Sequence, residues 1–204
     1  MANANINFGF AIWNELLRAR LYAVQTNPTI NIMTQDMVQE DVFGIASPKL
    51  GYASIVQDGQ VITAANGPGL DFLMLGSVLE CFDEKMDPVA YIAAARTGDG
   101  IVAGYVLVSD HPYQQYVANV DGVLVLNSSE LNYDVGVTAS TNLGWTDTGL
   151  SKQRISATSP DVYVYKPLRL YGQAYPDDVY SAAGCRMICQ INPLCHKYGA
   201  GVTI

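Results

Sequence analysis

The chain has 204 residues, half of them hydrophobic and only 15% charged, with 13 tyrosines; this mix suits a buried core and excludes a disordered chain. Its net charge of −8 argues against a nucleic-acid partner, because that binding is driven by Lys and Arg displacing counterions from phosphate. No run approaches the roughly 20 apolar residues of a membrane helix, and the N-terminus lacks the order of a signal peptide, so a soluble protein made in a cytoplasm and binding no membrane is expected.

In chain order, Phe10, Trp13, Leu17 and Leu21 fall at helical spacing with Glu15, Arg18 and Arg20 between them, which predicts a short N-terminal helical segment. After Pro28 the pattern changes. "TINIMTQDMV" alternates as a strand does, and "SIVQDGQVIT" sets two apolar runs about Asp58-Gly59, a hairpin signal because both central residues of a type I′ turn need positive φ. A breaker at Asn66–Gly69 closes this part. Then come "DFLMLGSVLECF", "VAYIAAA", "AGYVLV", "YQQYVANV", "GVLVLN", "YDVGVTAS", "DVYVYKPLRLYG" and "AGCRMICQIN", divided by turn-forming stretches such as "DEKMDP" and "SDHP". Short strands every eight to twelve residues predict a mainly β fold, a β-sandwich or β-barrel, rather than βαβ units. Residues 1–69 form an N-terminal helix or arm with a hairpin, and residues 70–204 form the β-rich body. Pro167 interrupts its alternating run, which places that strand at an edge, open to pairing with another subunit.

The chemistry-bearing residues suggest no catalyst and no cofactor or metal. Cys185, Cys189, Cys195 and His196 lie within twelve residues, yet on a strand Cys185 and Cys189 are roughly 13 Å apart, too far for a disulfide or one zinc. They are read as buried, reduced thiols, as is Cys81. Asp110 and His111 precede Pro112, and a turn accounts for them. No Gly-x-Ser-x-Gly elbow is present, and Cys195 and His196, adjacent in an extended chain, point to opposite faces. "GPG" and "GDG" lack the spacing and the following helix of a phosphate loop. The acid pairs Asp83–Glu84 and Asp177–Asp178 fall in turns and read as solvated.

The order "GSVLECFDEKMDPVAYIAAA", "AGYVLVSDHPYQQYVANVDG", "DVGVTASTNLGWTDTGLSKQRI", "KPLRLYGQAYPDD", "CRMICQIN" and "INPLCHKYGAGV" resembles a group of tailed-bacteriophage virion proteins encoded beside the major capsid protein and regarded as capsid cement or decoration proteins. It covers about residues 70–204. The resemblance implies a β-rich fold, no catalytic residues, no cofactor, and many copies on the outer capsid surface bound to the major capsid protein. Self-association is also expected, a trimer ahead of a dimer. The acidic charge suits a place outside the DNA-filled shell. Tyrosine-rich segments suit interfaces, so the contact candidates are Phe8, Phe10 and Trp13 near the N-terminus and Tyr163, Tyr165, Leu168, Tyr171 and Tyr175 later on. A minor virion component, such as a head–tail connector or head fibre-base protein, and a thiol hydrolase using Cys195 and His111 are the alternatives.

Overall fold

A computed structural model of the chain describes residues 9–26, 28, 31–40, 53–55, 74–100, 102–124, 132–136, 144–145, 148–157, 166–179, 182–196 and 198. The candidates Phe8, Tyr163 and Tyr165, the Asp58-Gly59 hairpin, the Asn66–Gly69 breaker and the second half of "GVLVLN" lie outside them. The described residues form strands, turns and bends and contain no helix.

One sheet holds five antiparallel strands in the order β1 (Ala11–Ile12), β10 (Gln115–Asn119), β17 (Arg186–Ile191), β16 (Leu168–Gln173) and β11 (Asn132–Tyr133). The other runs β2 (Arg20–Gln25), β9 (Val102–Ser109), β6 (Met74–Phe82), β4 (Met37–Glu40) and β5 (Ala53–Ile55), with β7 (Pro88–Val89) also paired to β6. This second sheet curls until β5 returns beside β2, as half of a barrel. Three small pairs complete the fold: β3 (Ile32–Met33) with β8 (Tyr91–Ile92), β12 (Val135–Gly136) with β15 (Arg154–Ile155), and β13 (Gly144–Trp145) with β14 (Leu150–Ser151).

Alternation along these strands builds two cores. Tyr22, Val24, Val38, Leu75, Val78, Val106 and Val108 fill the curl of the six-stranded sheet. Phe10, Tyr116, Tyr133, Leu168, Leu170, Met187 and Cys189 line the inner face of the five-stranded sheet, joined by Met37 and Met74. Strands β4 and β6 therefore serve both: Met37 and Met74 face one core, and their neighbours Val38 and Leu75 face the other. Successive strand residues point to opposite sides, so one layer can do this. Contact between the sheets is close where they meet. A Cβ on Gly76, whose φ is +155°, would lie 1.7 Å from the Ser109 carbonyl oxygen, and the Tyr116 hydroxyl donates to that same carbonyl at 2.8 Å.

Two sequence expectations need correction. The N-terminal segment is not a helix: Ala11–Ile12 pairs with β10, Arg20–Gln25 pairs with β9, and Asn14 between them has φ 67°. Leu17 and Leu21, which a helix would bury, are 49% and 44% exposed. The connecting backbone is held by a side chain instead, since the Leu17 amide donates to Gln114 Oε1 at 2.9 Å and Gln114 Nε2 donates to the Glu15 carbonyl at 3.2 Å. Strand β16 is not an outermost strand. It begins directly after Pro167, where a missing N–H is harmless, and lies between β17 and β11, although β11 covers only Leu168 and Arg169.

Candidate functional site

The outward face of the five-stranded sheet carries most of the described contact candidates. Register fixes which residues point there. Tyr116, Cys189 and Leu170 pair side by side and face the core, which turns Gln115, Gln190 and Arg169 outward in the next row. A bulge then alters β16: Leu170 pairs with Cys189 and Gly172 with Ile188, leaving Tyr171 as the extra residue. Bulges re-aim side chains, and Tyr171 stands 46% exposed. Its hydroxyl donates to Gln190 Oε1 at 2.6 Å, and Gln190 Nε2 donates to the Pro112 carbonyl at 2.7 Å.

Trp13 meets the edge of Tyr175 with ring centroids 5.9 Å apart. The Arg186 guanidinium lies 3.8 Å from the Tyr175 ring centre. Asp178 fixes that guanidinium, accepting from Nε at 2.9 Å and Nη2 at 2.7 Å, and it also accepts from the Arg186 amide at 2.8 Å. These bonds hold the Asp178 carboxyl below the usual carboxylate range. Trp, Tyr and Arg in locked rotamers make a surface that loses little side-chain entropy when something binds to it.

Not every candidate is on this surface. Trp13 and Tyr175 meet and Tyr171 is exposed, whereas Phe10 and Leu168 are fully buried in the core and have no surface to offer a partner. Their positions explain it: Phe10 enters β1 on the inner side, and Leu168 pairs with the buried Tyr133 and Ile191. Arg169, Arg186 and Gln190 were missed from sequence, because nothing local marks a strand residue as part of an aromatic array, and Asp178, read as a solvated turn acid, is instead buried against Arg186.

A second polar cluster surrounds Asp110, which closes β9 and is fully buried. Arg18 Nε donates to its Oδ1 at 2.6 Å, the Tyr22 hydroxyl donates to Oδ2 at 2.7 Å, and Arg20 Nε lies 3.5 Å from Oδ2. The Arg18 and Arg20 guanidinium carbons stand 4.9 and 5.0 Å from the ring centre of Tyr198, the last described residue. The turn read at this position exists, with the Gln114 amide donating to the His111 carbonyl at 2.9 Å, but Asp110 also ties together segments from both ends of the chain.

The cysteines and a few other titratable groups are buried. All four cysteines are free and buried. Burial raises each thiol, Cys185 to about 11 and Cys81 and Cys195 to about 12, which suppresses the nucleophilic thiolate. Cys195 Sγ faces the Lys166 carbonyl at 3.7 Å, and His111 Nδ1 accepts from the Tyr113 amide at 3.2 Å. Among the described residues, no three of His, Cys, Asp and Glu gather as a metal ion would require. Lys166 and Asp134 form a buried pair at 2.8 Å. Asp36 is buried with its carboxylate oxygens bonded by the Met33 amide and the Ser151 hydroxyl. No family model, no curated protein and no solved structure matches the chain.

Proposed function

We propose that this protein is a non-enzymatic phage structural protein that binds the outside of a capsid and bridges adjacent major capsid protein subunits, stabilising the DNA-filled head. The observation that carries this reading is the pre-set Trp13–Tyr175–Arg186 stack, together with the exposed Tyr171. Interfaces concentrate their binding energy in such residues, and a face of about 800 Å² is enough for specific docking. A bridging molecule gains further from effective concentration once one contact is made. The acidic chain suits an outer position, away from packaged DNA. The body reads as a sandwich of the five-stranded sheet on a half-closed barrel, self-associated on the shell and made in the host cytoplasm.

Copy number and head stability test the reading together. Densitometry of purified virions against the major capsid protein should give hundreds of copies, and virions lacking the protein should form heads that release DNA at a lower temperature. About a dozen copies, or unchanged DNA retention, would overturn it.

A further inference from the structure

Two histidine-x-tyrosine turns in this chain have the same internal geometry and opposite surroundings. In His111–Tyr113 the Nδ1 atom accepts from the Tyr113 amide at 3.2 Å, and the rings sit 5.8 Å apart at 53°. In His196–Tyr198 the Nδ1 atom accepts from the Tyr198 amide at 3.0 Å, and the rings sit 6.0 Å apart at 49°. The first turn is at the surface, with Tyr113 60% exposed; His196 is fully buried.

The buried turn is also a junction. Residues 192–196 reach strand β6 through a parallel bridge between Met74 and His196 and a bond from the Met74 amide to the Cys195 carbonyl at 2.8 Å. Tyr198 then lies under Arg18 and Arg20, with its hydroxyl 3.2 Å from that of Tyr22. An Nδ1 that accepts a hydrogen bond carries no proton, so the neutral ring holds its hydrogen on Nε2. That atom makes no close hydrogen bond among the described residues. The Leu75 backbone beside the ring favours the charged form without offsetting the burial.

We infer that His196 operates an acid-sensitive latch: protonation at Nδ1 removes the acceptor of the Tyr198 amide and frees Tyr198 from Tyr22, Arg18 and Arg20. Two N–H groups would then face each other across 3.0 Å. The charged groups around the ring set the balance. Asp110, after β9, favours the imidazolium; Arg18, before β2, and His111, beyond β9, oppose it. Tyr22 of β2 and Arg20 act one contact away, through Tyr198. Burial is the largest influence and lowers the His196 pKa from 6.5 to about 4.

The sign follows from which state takes up the proton. An opened tail exposes His196 and binds a proton below pH 6.5, while the closed one does so only near pH 4. Opening is therefore favoured about tenfold more for each pH unit lost within that window.

Amide hydrogen exchange by NMR on the full chain reads the latch directly. The protection factor of the Tyr198 amide, corrected for intrinsic exchange, should fall about 40-fold between pH 6.5 and pH 4.5, while core amides such as that of Val106 stay protected. His196→Asn keeps an acceptor for the amide two residues on but does not titrate, so it should abolish this fall. An unchanged Tyr198 protection factor in the native protein would overturn the inference. So would an equal fall in His196→Asn, which would assign the acid response to a group other than His196. If His196→Asn does not fold, following the His196 ring resonances of the native protein decides: titration uncoupled from Tyr198 exchange overturns the latch.

Discussion

Arg18 grips Asp110 twice, donating from Nε to the carboxylate and from Nη2 to the Asp110 backbone carbonyl, both at 2.6 Å. The two residues are 92 positions apart in sequence. A fully buried carboxylate survives only when opposite charge and hydrogen bonds replace its water, and Arg18, Arg20 and Tyr22 supply them from one short stretch of chain.

Removing that carboxylate leaves Arg18 facing a desolvated gap. Asp110→Ala should cost about 3–5 kcal/mol of folding stability and lower the melting midpoint by on the order of 10 °C, read by thermal and urea unfolding. Arg20→Met should lower stability far less, because its side chain is half exposed and its ion pair is screened. Equal losses for both would mean that Asp110 is not the hub described.

Asp36 should make stability depend on pH in the opposite sense to an ordinary salt-bridged acid. Burial pushes its carboxyl from 3.8 up to about 8, despite the bonds from Ser151 and Met33. The folded protein keeps a proton that the unfolded chain releases above about pH 4, so this residue's contribution falls as pH rises toward 8 and is flat beyond. Asp36→Asn removes that slope. Urea denaturation should show the variant's stability relative to the native protein rising by up to about 1.4 kcal/mol per pH unit between pH 5 and pH 8.

The contact candidates should separate into two classes. Phe10→Ala and Leu168→Ala empty core positions and should each cost about 2–5 kcal/mol, whatever they do to binding. Tyr171→Ala and Tyr175→Ala should change folding by about 1 kcal/mol or less and weaken binding to purified capsids in a co-sedimentation assay. Undiminished capsid binding by the double tyrosine variant would remove this face from the proposed interface.

The thiols should be silent in the folded state. An aromatic disulfide reagent at pH 8 should release almost no chromophore from the native protein and the full complement of four after guanidinium unfolding. Rapid native reaction at any one of them would contradict its burial.

Much of the strand pattern was legible, because alternation of apolar residues is a local property. "AGYVLV" and "CRMICQIN" became β9 and β17, and Cys185, Met187, Cys189 and Ile191 share the buried side of the latter as their spacing requires. The N-terminal helix failed for a physical reason. Its apolar spacing is met by a chain that turns at Asn14 and exchanges bonds with Gln114, and no periodicity reveals a side chain about a hundred residues away that can satisfy a backbone. Burial of Asp110 was hidden for the same reason. An acid before proline has the signature of a solvated turn, and only the return of Arg18 and Arg20 makes an interior place affordable. Of the outward aromatic face, Trp13, Tyr171 and Tyr175 were legible by residue type, whereas the bulge that exposes Tyr171 was not.

Since Met37 and Val38, like Met74 and Leu75, look into different interiors from one partition, neither interior can be breached in isolation. Damage on one side tilts the common wall and strips contacts from the other. A calorimetric trace with a single endotherm is the outcome this plan demands, and a cut made between the two halves should yield fragments that stay unfolded until they are mixed.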